Sequence, residues 1–216
     1  MARKDREHDE GATGTSYHEL AERMASLHVS RIEEMPRIEL YLDQLLSLVS
    51  DEVSFAAAPG EKIITGPMVN NYVKQHVLPA PTRKRYTRRH VATLIFVCLG
   101  KRVLSMAQIK EVHDLCEAAE LDVYRAYDEL IGLIEDGVGA LFTADPAAPP
   151  MALDLSPDLR NTAGAPVGGA LNRVASSIVT LISHKVYAER MLEANLWREG
   201  QDRDAANSPD QREEAS

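Results

Sequence analysis

The sequence predicts a mainly α fold whose last element is a long helix, and three observations carry that reading. Apolar residues recur three and four apart along most of the chain, the spacing of one helix face. Strand-favouring residues are scarce, with aromatics at only 5%. The periodic stretches are bounded by Ser, Thr, Asp, Pro and Gly where helices start and stop. With 216 residues and 44% hydrophobic side chains, the chain can bury a sizeable core in one or two domains.

The elements follow in order. Met1 to Ser16 and Glu199 to Ser216 are polar, charged and poor in large apolar residues, the composition of solvated tails. Tyr17, Leu20, Met24 and Leu27 predict a helix between Tyr17 and Ile32. Beyond Pro36, a second stripe runs through Ile38, Tyr41/Leu42, Leu45 and Val49. Thr65 is placed to cap a short helix with Pro67 in its first turn. On that helix Met68, Val69, Tyr72 and Val73 fall on a packing side, and Pro67, Asn70, Asn71 and Lys74 on the other. Pro79 and Pro81 stop it, and Arg83, Lys84 and Arg85 form a short turn or hairpin with their side chains in solvent. Thr87 caps a helix with Val91, Leu94, Ile95 and Val97 toward a core, and Ser105 caps another with Met106, Ile109, Val112 and Leu115. Asp122 caps the next, which carries Val123, Tyr127, Leu130/Ile131 and Ile134 and is expected to end at Gly137. Thr143 to Gly169, rich in Pro and Gly, reads as a linker. The final helix is expected from about Ala170 to Arg198, with Leu171, Val174, Ile178, Leu181, Ala188 and Leu192 at heptad-like positions.

Charge is distributed unevenly. The formal net charge is −9, yet ten of the 24 basic residues lie between Lys62 and Lys110, and all 33 acidic residues lie elsewhere. Within PAPTRKRYTRRH, Pro79 to His90, five of twelve side chains are cationic. An acidic whole-chain pI does not exclude a nucleic-acid partner, because the footprint that matters is local clustering.

Helix, short polar helix, basic wing and two further helices is the order of a winged helix-turn-helix. The residues resemble the MerR-type regulators. In NNYVKQHVLPAP, Tyr72 matches the tyrosine of their recognition helix, and Val77, Leu78 and Pro79 match the segment after it. In YTRRHVATLIFV, Tyr86 matches the end of the wing, with Val91, Leu94 and Val97 in register; LSMAQI supplies Ser105, Met106 and Ile109. The likeness runs from about Ile38 to Leu115. His76 stands where those proteins have a turn glycine, and the wing is shorter and lacks their Gly-Tyr-Arg core. The stretches PRIELYLDQ, MVNNYVKQ, LPAPTRKRY and KRVLSMAQI also resemble a bacterial domain-of-unknown-function family, number 1836, which brings no reaction or ligand with it.

Lys and Arg neutralise phosphates and release counterions, whereas Asn can pair bidentately with adenine in the major groove. Asn70, Asn71 and Lys74 are therefore the expected readers of double-stranded DNA, and Arg83, Lys84, Arg85, Arg88 and Arg89 the expected phosphate clamps. Tyr72 and Tyr86 are expected to pack rather than stack on bases, and Lys101 and Arg102 either reach phosphate or end a helix. The alternative is an adaptor that uses the same fold to bind an acidic protein, with no DNA contact. Residues 17–118 then form the DNA-binding domain and 119–198 a helical C-terminal region whose last helix makes a homodimer, matching paired half-sites. The stripe can equally pack back on its own domain.

Other classes are weaker. His113 and Cys116, three apart on one helix, can hold two metal ligands, but no matching pair exists elsewhere, so no metal or cofactor is expected. Cys98 reads as a buried small hydrophobe. No nucleophile, base and oxyanion pattern is recognisable, so no catalysis is expected. The start MARKDREHDEGATG lacks an apolar signal region, and the longest apolar run, Leu94 to Leu99, cannot span a bilayer. A cytoplasmic transcription regulator that touches no membrane is the expectation.

Overall fold

A computed structural model describes residues 17–143 and 153–194. The two expected tails and the end of the last helix at Arg198 lie outside the described residues. Among the described residues there are seven α-helices and no strand, so the protein is mainly α with a long C-terminal helix.

The first helix, α1 (Tyr17–Ala25), is shorter than its stripe suggests. Past Ala25 the backbone donors are taken by remote carboxylates: Val29 N donates to Glu135, Ser30 N to Glu52 and Ile32 N to Asp128. Arg31 also pairs with Glu135, and the Tyr127 hydroxyl donates to the Ser30 carbonyl at 2.9 Å. An N–H committed to a side chain cannot continue a helical ladder. Val29, Ile32 and Met35 are consequently buried from an irregular segment.

Helix α2 (Leu42–Glu52) begins four residues after the start of its expected stripe. Ile38 and Tyr41 stay outside it, 72% and 55% exposed. Leu40 instead exchanges two backbone hydrogen bonds with Tyr86, at 2.8 and 2.9 Å. Helix α3 (Gly66–Lys74) starts after Thr65 as expected and buries Val69 and Tyr72. Helix α4 (Arg88–Gly100) is the central element, burying Val91, Leu94, Ile95 and Val97. Its start is fixed by Thr87, whose backbone N–H donates to His90 Nδ1 at 3.0 Å. Helix α5 (Met106–Ala118) opens with a reciprocal box: Gln108 N donates to Ser105 Oγ, and Ser105 N to Gln108 Oε1.

Helix α6 (Val123–Thr143) is capped by Asp122, which accepts from Tyr124 and Arg125 N–H. It runs through Gly137 instead of ending there. A Cβ at Gly137 would lie 2.6 Å from Ser183 Oγ and 2.8 Å from Leu155 Cδ1. The glycine serves close approach of α6 to α7 (Gly169–Glu193), its longest partner, and not a helix stop.

The supposed linker is also corrected over its described part. Residues 153–168 are docked, with Leu155, Leu159 and Val167 buried. Asp122 N donates to the Arg160 carbonyl and Thr162 N to that of Glu120, at 3.0 and 2.9 Å. Helix α7 then buries Ala175, Val179, Ile182, Ser183 and Val186, a face different from the stripe read in the sequence. Of that stripe, Leu181 and Leu192 are 51% and 61% exposed. One apolar core extends from Leu20 on α1 through α2, α3 and α4 to Val186 on α7, and α1 packs on α6.

Candidate nucleic-acid interface

The sequence from α3 into α4 folds as it does because of three left-handed residues, none of them glycine. Helix α3 ends in a Schellman motif: Val77 N donates to the Tyr72 carbonyl at 3.0 Å and His76 N to that of Val73 at 3.1 Å, with His76 at φ 57°. Val77 and Tyr72, the apolar pair that accompanies such a cap, are both buried. Thus the histidine takes the conformation that a glycine would take more cheaply.

The next reversal is a two-residue hairpin. Arg85 N donates to the Thr82 carbonyl at 2.9 Å, and the central residues Arg83 and Lys84 have φ 51° and 62°. Positive φ at both central positions is the turn that matches strand twist, normally filled by Asn or Gly. Here two long cations fill it, and both side chains are exposed. Left-handed backbone costs an L-residue roughly 1–2 kcal/mol, so the turn keeps charge at a cost in conformational energy.

Asn70, Asn71 and Lys74 are exposed along α3, on the side opposite buried Val69 and Tyr72. Arg89 is exposed in the first turn of α4. Arg85 and Arg88 are half-buried and already engaged. The Arg85 guanidinium lies 3.5 Å above the Tyr41 ring and donates to its hydroxyl, and Arg88 Nε donates to the Pro36 carbonyl at 3.2 Å. Among the described residues, no carboxylate forms an ion pair with Lys74, Arg83, Lys84, Arg85, Arg88 or Arg89.

Three of the four remaining basic residues of the window, all but the exposed Lys62, have partners of their own. Arg102 is held between Glu61 and Glu189, and Lys110 pairs with Asp114 at 2.7 Å. Lys101 sits 5.8 Å from the buried Tyr72 ring. Tyr86 packs edge-on against His90, with ring centroids 5.3 Å apart. Both tyrosines are therefore structural, as their apolar spacing suggests. Burial holds the His90 imidazole below its ordinary pKa. Tyr41 was not among the expected site residues; its place in an apolar stripe hid its role of holding Arg85.

Burial pushes the Cys98 thiol up to about 12 and the Cys116 thiol up to about 11, so neither is a ready nucleophile at neutral pH. Cys116 is not part of the three-residue group that His113 joins. Among the described residues, His113, Asp114 and Glu117 bring ligand atoms within 4.8 Å of one another, two of the three side chains being exposed.

Residues 30–130 match the family model described as a domain of unknown function, DUF1836. The DUF1836 segment covers α2 to α5, the hairpin, and the opening of α6, and so contains every candidate DNA-contacting residue. No curated protein and no solved structure matches the chain. No described helix is long and apolar enough to cross a membrane.

Proposed function

We propose that this protein is a sequence-specific DNA-binding transcription regulator of winged helix-turn-helix type, resembling the MerR regulators in the order of its parts. Helix α3 enters the major groove, with Asn70 and Asn71 reading base edges and Lys74 beside them. Arg83 and Lys84 at the hairpin tip and Arg89 on α4 hold phosphates. Arg85, oriented by Tyr41, and Arg88 add to the clamp from fixed positions. The observation that carries the reading is the hairpin itself: two exposed cations at positive φ, unpaired with any described carboxylate. A turn serving only to reverse the chain would use Gly or Asn there.

The exposed face of α7, with Val174, Leu181 and Leu192, supports a homodimer that presents two copies of α3 to paired half-sites. An adaptor reading is favoured by one observation, the exposed Ile38 and Tyr41 beside the hairpin, which suit a protein surface better than a phosphate backbone. Salt dependence separates the two. With about four to six phosphates neutralised per half-site, log K for duplex DNA falls with log salt at a slope of roughly −4 to −5. A flat titration with a mixed-sequence duplex would leave the adaptor reading.

A further inference from the structure

Behind the DNA-facing half, α4, α5, α6 and α7 surround a half-open cavity of about 600 Å³. Phe96, Val112, Cys116, Leu130, Leu171 and Ile178 are among the apolar residues of its wall. Interiors seldom keep voids larger than a water molecule, and small-molecule sites fall between about 300 and 1,000 Å³ with a mainly apolar lining. Helix α5 fully buries only Ile109, and Val112 and Cys116 on its cavity side are half-buried.

The charged groups of the wall narrow what fits. His113 lines the cavity, and its Nδ1 is shut off from solvent with no hydrogen-bond partner among the described residues. Its nearest carboxylate oxygen, Asp114 Oδ1, is 3.6 Å away. Covered by protein atoms and set against Asp114, which is not part of the wall, that nitrogen is out of reach of a molecule in the cavity. Glu117, Glu120 and Asp122 also line the cavity, against Arg89 alone of the cations, which disfavours an anion. A charged ligand would in addition lose its hydration among apolar walls.

We propose that this cavity binds an uncharged, largely apolar small molecule. The site stands without the DNA reading. Its regulatory consequence rests on that reading: α4 is both a wall of the cavity and, through Arg88 and Arg89, part of the proposed phosphate clamp, so an occupied cavity changes the affinity for duplex.

The probe is N-phenyl-1-naphthylamine, uncharged and largely apolar, titrated by fluorescence into the full chain without DNA. Saturable binding of one probe per chain is expected. Ile178→Trp, which fills the cavity, weakens it at least tenfold, as does Cys116→Phe, made so that one folded filling variant is available by its thermal melt. Leu115→Ala, exposed on α5 and outside both the lining and the proposed dimer face, leaves it unchanged. Absence of saturable binding overturns the proposal, as does equal binding by the filled variants. A loss in Leu115→Ala places the probe on the exposed α5 face, and probe binding that appears only on dilution to monomer makes a second copy the occupant; either result also overturns it. Duplex affinity with and without saturating probe then reads the coupling. If the chain binds no duplex in either condition while the probe still binds, the DNA reading has failed and the site has not.

Discussion

Replacing Lys84 with glycine should raise the stability of the fold while lowering its affinity for DNA. Lys84 has φ 62°, and its side chain is exposed, with no ion-pair partner among the described residues. Relief of the left-handed conformation returns roughly 1–2 kcal/mol, and the extra chain entropy of glycine takes back roughly 0.5–1 kcal/mol. The net is a stabilisation of about 1 kcal/mol, or about 2–4 °C in Tm for a chain of this size. The lost ammonium removes one phosphate contact, so the slope of log K against log salt becomes shallower by about 0.9. Lys84→Ala separates the two effects, because it loses the charge and keeps the strained φ: its DNA binding should match that of the glycine variant and its Tm that of the parent. Calorimetry gives the stability and fluorescence anisotropy over a potassium chloride series gives the slope. A glycine variant less stable than the parent would refute the strain argument. An unchanged slope in both variants would remove the hairpin from the DNA.

Three more outcomes follow from the same structure. His76→Gly, at φ 57° in the cap of α3, should stabilise by about 1 kcal/mol in urea melts and leave DNA preference alone; destabilisation would mean the histidine side chain contributes more than its backbone costs. Gly137→Ala should destabilise by about 1–3 kcal/mol, since the new Cβ would sit 2.6 Å from Ser183 Oγ where α6 meets α7, and a neutral melt would contradict that approach. Leu181→Asp paired with Leu192→Asp should turn a dimer into monomers by light scattering, because an unpaired charge would be buried in the interface; a wild-type monomer would end the dimer proposal.

The helices from α3 to α5 were legible because their caps are local: Ser105 with Gln108 needs four residues and no tertiary knowledge. Asp122 was legible for the same reason. The end of α1 was not, because the groups that stop it, Glu52, Asp128 and Glu135, lie 22 to 106 residues away. Gly137 looked like a terminator since glycine has two uses, and only the position of Ser183 tells which applies. Helix α7 carries two stripes, and the buried one includes the small residues Ala175 and Ser183, which look weak beside Leu181 and Leu192. Leu155, Leu159 and Val167 were hidden by the Pro and Gly around them.

For the candidate site, the outward side of α3 and the exposure of Arg83, Lys84 and Arg89 were readable from helical spacing and the two prolines. The left-handed turn was not, since Arg and Lys carry no turn signal. Nor was the tethering of Arg85 and Arg88, whose partners Tyr41 and Pro36 lie 44 and 52 residues earlier.

The central claim, that α3 reads sequence while the hairpin holds backbone, is tested most directly by binding selection on randomised duplexes with the parent, Asn70→Ala, Asn71→Ala and Lys84→Ala. A bidentate asparagine contributes about 1–3 kcal/mol of discrimination at its base pair, whereas phosphate contacts carry no direct sequence information. The account predicts that at least one asparagine variant loses preference at a single position of the selected motif, and that Lys84→Ala binds every sequence more weakly with the motif unchanged. A hairpin variant that alters the motif, with both α3 variants retaining it, would contradict the account.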